Sequence, residues 1–309
     1  MITYHHLKQH PHVFLRMTGL RVSEFDALLI ELLPNVRTAR EARLERTDRQ
    51  RDLGGGVKPF LAGREQVLLT VIWLRLYPTH DVLGYLFGIS QPTVGRYLRQ
   101  IVPLLEAHGQ GHMRMPDPGR KRRVQWLDLL AAIPELAVVV DTFEQPVQRP
   151  RCAADRQGWF SGKRRTHTLK SQVSVAADTG RVVHLAPPAP GPSSDLTLLR
   201  SSSLLDQLPP GCALLGDTAY QGIAHDYPLG FSPIKRLGRF PPPLSPEQVA
   251  YNHAFSSRRI VVEMTLNRFR AYQCLTQRTR HHRDLLWHAL CLGAVAALVN
   301  WQFFSRFPA

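Results

Sequence analysis

The chain has 309 residues, 44% apolar and 20% charged, which suffices for a sizeable core and excludes a disordered or fibrous protein. Its net charge of +15 points to a polyanionic partner, nucleic acid before others, although an Arg-rich composition alone gives the same balance. Cys152, Cys212, Cys274 and Cys291 are too widely spaced for a paired metal or redox motif, and the N-terminal MITYHHLKQHPH has no apolar run. Together these predict a cytoplasmic protein with reduced thiols.

Residues 1–109 read as helical. VRTAREARLERTDRQRD (36–52) spaces Arg37, Arg40, Arg43, Arg46 and Arg49 by three among acids, a solvated helix in preference to a DNA-contacting face. REQVLLTVIWLRLY (64–77) is an apolar helix stopped by Pro78, and Thr79 can cap a short helix over 80–87. Gly88-Ile89-Ser90 then turns the chain, and Ser90 can cap a helix over 91–102 whose apolar face is Val94, Leu98 and Ile101. Gln91, Thr93, Arg96, Arg99 and Gln100 form its polar and basic outer side. Two helices joined by a tight turn, the second basic, make a helix-turn-helix for double-stranded DNA, though a plain helical bundle shares the periodicity.

Residues 110–130 are a basic, Gly- and Pro-rich linker carrying Arg120-Lys121-Arg122-Arg123, either solvated or laid along phosphates. From 131 to 309 strands alternate with helices. AVVVD (137–141) reads as a short buried strand after which QPVQRP turns the chain, and THTLKSQVSVAAD (166–178) as a long one. The latter passes through Asp178-Thr179-Gly180 into RVVHLAP (181–187). A helix over 193–205 capped by Ser193 or Ser194, strands CALLGD (212–217) and FSPIKR (231–236), an irregular PPPLSP (241–246) and a helix over 255–275 follow. The apolar Leu285–Val299, interrupted by His288, reads as a buried helix, too short to span a membrane.

Two apolar strands end on acids, Asp141 and Asp217. Either alone is readily a cap or a turn residue, but strand ends are also where sites are built from rigid scaffold. Glu263 is a third acid, on a helical stripe with Ser256, Arg259 and Arg270, beside the apolar stripe of Val262, Leu266 and Phe269. Taken singly it reads as a surface ion pair of little energetic weight. Three converging carboxylates suit hard divalent cations: two Mg2+ about 3.5–4 Å apart, with Mn2+ as a substitute, for phosphodiester chemistry. The arginines would hold the phosphate backbone. Glu144 pairs with Arg149 or Lys163 or assists at the site, and His167, His225 and His281-His282 lack the companions of a zinc site.

These blocks resemble the DDE superfamily of transposases, in particular bacterial insertion-sequence transposases related to Harbinger-type endonucleases. GREQVLLTVIWLRLYPTHDVLGYLFGISQPTVGRYL is similar to that group's helix-turn-helix, VVVDTFEQPVQRP to its first-acid block, and GWFSGKRRTHTLKSQVSVAADTG to the basic run and strand that follow. PGPSSDLTLLRSS with LLGDTAYQG resembles the segments around the second acid, and SSRRIVVEMTLNRFR the third-acid helix. The chain departs from the pattern in Phe143 where Thr is common, Ser256 where Tyr is common, and Arg270 for Lys. The resemblance implies an α/β, ribonuclease-H-like catalytic domain, a mixed sheet between helices, over 131–309, behind an all-α DNA-binding domain over 1–109. It implies Asp141, Asp217 and Glu263 as catalytic metal ligands, and DNA contacts from Lys163, Arg164, Arg165, Arg259 and Arg270. It further implies cleavage and strand transfer at terminal inverted repeats, joining to target DNA, and a homodimer pairing two ends, with no membrane partner. A domesticated or degenerate relative that only binds DNA, or a metal nuclease without strand transfer, shares parts of this pattern.

Overall fold

The computed structural model describes residues 1–45, 58–119, 130–236, 238, 242–280 and 284–306. Arg46, Arg49, the run Arg120–Arg123 and His281-His282 lie outside the described residues. The chain divides into two compact units, one of Met1–His112 with Ala271–Gln277 and Leu290–Ala309, the other of Met113–Arg270 with Arg278–Ala289.

The first unit opens with α1 (Tyr4–Leu7), α2 (Pro11–Thr18), α3 (Val22–Leu44), α4 (Gly63–Leu76), α5 (His80–Phe87) and α6 (Gln91–Gln110). Every residue of α4 from Gln66 to Leu74 is buried, as an all-round apolar helix must be. Thr79 caps α5 by accepting from the Val82 amide at 3.3 Å. The turn after α5 is too tight for a side chain at Gly84, where a Cβ would stand 2.6 Å from the Ile89 carbonyl oxygen. Gly88 closes α5 at φ 68°, the left-handed conformation glycine adopts freely. α6 continues through Pro103 to Gln110, well past the expected residue 102. Leu105 and Gly109 are buried beyond the proline, so packing outweighs the hydrogen bond it removes.

The second unit contains β1 (Ala137–Pro146), α7 (Ala153–Trp159), β2 (Phe160–Ser161), β3 (Thr166–Ala176), β4 (Val182–Leu185), β5 (Ala189–Pro190), α8 (Asp195–Ser201), α9 (Leu204–Gln207), β6 (Ala213–Leu215), α10 (Ile223–Asp226), β7 (Gly230–Phe231) and α11 (Pro246–Arg270). The sheet runs β2-β3-β1-β6-β7, with β4 and β5 also on β3. β1 and β3 are antiparallel, while β1–β6 and β6–β7 are parallel. Alternation along β1 sends Val138 and Val140 into a core with Leu199, Leu204, Leu214, Tyr220 and Ile223. Phe143 points the other way and meets Phe269 of α11 at 6.3 Å between ring centroids. The mixed sheet between helices is the architecture of a ribonuclease-H-like domain.

Several elements of this unit differ from expectation, and the helix expected over 193–205 breaks into α8 and α9 at Ser202-Ser203. β1 does not stop at Asp141 but runs to Pro146, because the long β3 pairs with it residue for residue from Val138 to Pro146. The strand expected over 231–236 is only Gly230–Phe231. α11 starts at Pro246 instead of 255: Ser245 accepts from the Gln248 amide at 3.2 Å while Gln248 Oε1 accepts from the Ser245 amide at 3.0 Å, a reciprocal cap at the end of the proline-rich stretch.

α12 (Leu285–Arg306) closes the chain. Its segment Leu285–Phe303 is long and apolar enough to cross a membrane by length and composition, yet 61% of that window is buried inside the fold. From Leu290 onward it belongs to the first unit, where Trp301 donates to the Glu24 carbonyl at 2.8 Å and Gln302 to that of Gly19 at 2.7 Å. Gly109 of α6 and Ala297 of α12 meet so closely that a Cβ on Gly109 would lie 2.4 Å from that of Ala297.

Candidate functional site

The site grows from the parallel pairing of β1 and β6. Val139 stands opposite Leu215, the last residue of β6. Asp141 and Asp217 each lie two residues further on, so they leave neighbouring strands at one level and toward one face. Backbone pairing continues past β6 through the Gly216 amide to the Phe231 carbonyl at 3.0 Å. Asp217 then begins a 3-10 turn over Thr218–Tyr220, its Oδ1 accepting from the Ala219 amide at 2.9 Å. It is thus a cap as well as a strand-end acid. The turn folds back tightly, and a Cβ on Gly216 would lie 2.5 Å from that of Tyr220.

Asp141 is the electrostatic centre. Its Oδ1 accepts from the Thr142 amide at 2.7 Å, and its Oδ2 faces a guanidinium nitrogen of Arg259 at 3.2 Å. Burial pushes the carboxyl above the usual aspartate range. The negative charges of Asp217 and Asp195 push the same way, and Arg259 and the Thr142 amide only partly offset them. Arg259 lies in the buried stripe of α11 with Phe255, Val262, Leu266 and Phe269, not on its polar edge. Its side chain is buried and its head reaches the carboxylate.

Asp195 went unnoticed in the sequence, where it reads as the first residue of a Ser-capped helix. Ser194 does cap α8, accepting from the Thr197 amide at 3.0 Å. Asp195 is bound by Lys170 of β3 at 2.7 Å, and Lys170 also donates to the Ser193 carbonyl at 2.6 Å. Beneath the acids, Gln172 donates to the Tyr220 hydroxyl at 2.9 Å, and burial raises that phenol, with Asp195, Asp141 and Asp217 adding to the rise.

Glu263 is exposed on α11, one turn beyond Arg259. The three acids Asp141, Asp217 and Glu263 do not bring their oxygens within 4.8 Å of one another; among the described residues only Glu31, His108 and His112 meet that spacing for three ligating groups. Lys163, Arg164 and Arg165 are exposed between β2 and β3, with Arg165 at φ 52°. Arg270 is exposed and donates to Asn267 Oδ1 at 2.8 Å. On α6, Gln91, Arg96 and Arg99 are exposed, and Thr93 and Gln100 partly so. Glu144 accepts from the Thr168 hydroxyl at 2.6 Å, a hydroxyl partner in place of the expected cation.

Asp141 and Asp217, side by side with Asp195 close enough to act on both Asp141 and Tyr220, form an oxygen-rich and under-compensated donor set. That chemistry fits a hard divalent cation.

Residues 140–300 match the family model of the DDE superfamily endonuclease, and residues 60–111 match that of the helix-turn-helix of DDE superfamily endonuclease. The chain is 29% identical over 261 residues to a probable transposase for insertion sequence element IS702 from Microchaete diplosiphon, covering 83% of this chain and 87% of that protein. No solved structure gives a significant match. With its own helix-turn-helix ahead of a sheet that sets two aspartates side by side, the chain belongs to the DDE superfamily endonucleases.

Proposed function

We propose that this protein is a transposase that binds the ends of an insertion element and catalyses metal-dependent DNA cleavage and strand transfer. The observation that carries the reading is that Asp141 and Asp217 each lie two residues past the paired Val139 and Leu215 of adjacent parallel strands, with the Asp141 carboxyl raised by burial and by neighbouring negative charge. Asp141, Asp217 and Glu263 are the metal ligands. Glu263, exposed on α11, completes the set in preference to Asp195, whose charge Lys170 already matches at 2.7 Å. Divalent ions such as Mg2+ or Mn2+, bound there, would lower the pKa of the attacking water or 3′-hydroxyl and stabilise negative charge at the phosphodiester.

The remaining roles belong to the chain itself. Arg259 orients the Asp141 carboxylate. Lys163, Arg164, Arg165 and Arg270 hold the DNA backbone by charge-assisted hydrogen bonds. Gln91, Thr93, Arg96, Arg99 and Gln100 present the outer face of α6 to the terminal repeats. Two copies pair the two element ends, and the protein acts in the cytoplasm.

The test is cleavage of DNA carrying the inverted repeats that bracket the gene, in Mg2+ or Mn2+. Asp141→Asn, Asp217→Asn and Glu263→Gln should abolish cutting and leave DNA binding intact. Wild-type cutting by any of them removes that residue from the site, and loss of cutting in Asp195→Asn but not Glu263→Gln would make Asp195 the third ligand. A nicked but never joined product would identify a nuclease, and binding without cutting a DNA-binding relative.

A further inference from the structure

A second constellation lies in the helical unit. His108 and His112 are one turn apart at the end of α6, and Glu31 of α3 faces both. Glu31 Oε2 is 3.7 Å from Nε2 of His108 and 3.9 Å from Nε2 of His112, and the ligand atoms of all three lie within 4.8 Å of one another. A tetrahedral ion with bonds of about 2.0–2.2 Å sets its ligands roughly 3.3–3.5 Å apart, so closure needs shifts of a few tenths of an ångström at the first two contacts. Glu31, with a half-exposed side chain, can make them.

The ring nitrogens are prepared for this. Nδ1 of His112 lies 2.8 Å from the His108 carbonyl, which can only accept, so Nδ1 carries the proton and the Nε2 lone pair is turned to Glu31. The His108 side chain is 8% exposed, and its Nε2 is buried with no hydrogen-bond partner, being too far from Glu31 for one. A buried polar nitrogen in that condition is expensive unless something occupies the space before it. Burial and the neighbouring His112 hold His108 below the ordinary histidine range, against the opposing pull of Glu31, which favours the neutral, ligating form. The Trp301 ring walls the site, its centroid 5.5 Å from that of His108 and 6.1 Å from that of His112.

We propose that Glu31, His108 and His112 form a binding site for a transition divalent cation, Zn2+ above all, with solvent as the remaining ligand. Two imidazoles and one carboxylate suit Zn2+ and not Mg2+, which takes oxygen ligands. The ion would cross-link α3 to the C-terminal end of α6, the helix whose other end bears Gln91, Arg96 and Arg99.

Co2+ serves as the spectroscopic probe, added to the untagged full-length chain. Visible d–d bands of low-symmetry Co2+ should appear and be displaced by Zn2+, and Zn2+ but not Mg2+ should raise Tm. Both responses should persist in Asp141→Asn/Asp217→Asn, which separates this site from the acid site. His112→Ala should weaken Co2+ binding by at least about tenfold, the loss typical of damage to a metal's ligand shell. Glu31→Gln, at a half-exposed side chain that leaves the fold intact, should do the same, so a folding defect in the histidine variant cannot mimic the result. Absence of the bands in wild type, their loss in the aspartate variant, or equal affinity in Glu31→Gln would each overturn the assignment.

Discussion

Replacing Arg259 with Met isolates the electrostatics of Asp141 from its chemistry. The two side chains are 9% and 17% exposed, so solvent screens the pair little. At the observed 3.2 Å, attraction with an effective dielectric near 20 is about 5 kcal/mol, and removing one partner of such a buried pair has a net effect of about 3–5 kcal/mol. Met fills much of the volume of the arginine stem, so lost packing is a small part. Asp217 and Asp195 remain and keep repelling the orphaned carboxylate. The Asp141 carboxyl, already raised, rises further. A group whose folded pKa lies above its unfolded value weakens the fold above the folded pKa, and the loss fades as pH falls through it. Arg259→Met is therefore expected to destabilise by about 3 kcal/mol at pH 7 in urea unfolding, and by clearly less at pH 5. Asp141→Asn combined with Arg259→Met should recover most of the loss, because no charge is then stranded. A loss under about 1 kcal/mol at pH 7, or a double variant no more stable than Arg259→Met, would refute this account.

Three further outcomes are expected. Gly84→Ala places a Cβ 2.6 Å from the Ile89 carbonyl oxygen and should destabilise the helix-turn-helix by about 1–3 kcal/mol while weakening DNA binding, read by thermal melting and by titration of a labelled duplex. His288, held at about 4 by burial against an ordinary value of 6.5, binds its proton more readily in the unfolded chain; stability should fall by roughly 3 kcal/mol between pH 6.5 and 4, and His288→Gln should remove that slope from a urea-stability series. The double variant Arg96→Ala/Arg99→Ala should lower the slope of log K against log salt by about 2, one per lost phosphate contact, and an unchanged slope would take both residues off the DNA.

Much of the architecture was legible because it follows from local chemistry. The caps at Thr79 and Ser194 and the turn at Gly88 are marked by residues whose side-chain or backbone preferences act over a few positions. The Val262, Leu266 and Phe269 stripe is a periodicity, and all three are buried as it requires. What escaped the sequence depends on partners distant in the chain. β1 reads as ending at Asp141 because its polar second half looks like a turn, and only pairing with β3 keeps it extended. Arg259 reads as a surface cation because its carboxylate partner is 118 positions away. Asp195 hides behind a good helix cap. Phe143, a departure from the family's pattern, is explained by its contact with Phe269. The spacing of His108 and His112 is visible in the sequence, but Glu31 comes from another helix and gives no local signal.

The unequal lengths of β1's two neighbours make the paired aspartates mechanically unlike. Asp141 lies within the β1–β3 ladder from Val138 to Pro146, with three paired β1 residues before it and five after it, and its carboxylate is tied to a buried arginine. Asp217 stands beyond a three-residue strand, on a single turn held by its own cap. One acid is thus a fixed reference point and the other is compliant. If Asp141, Asp217 and Glu263 hold the ions as proposed, the adjustment to ions of different radius or to a strained DNA phosphate would fall on Asp217 and on the exposed Glu263. Substitutions that loosen the Thr218–Tyr220 turn would then alter the choice between Mg2+ and Mn2+ more than equally severe changes along β1.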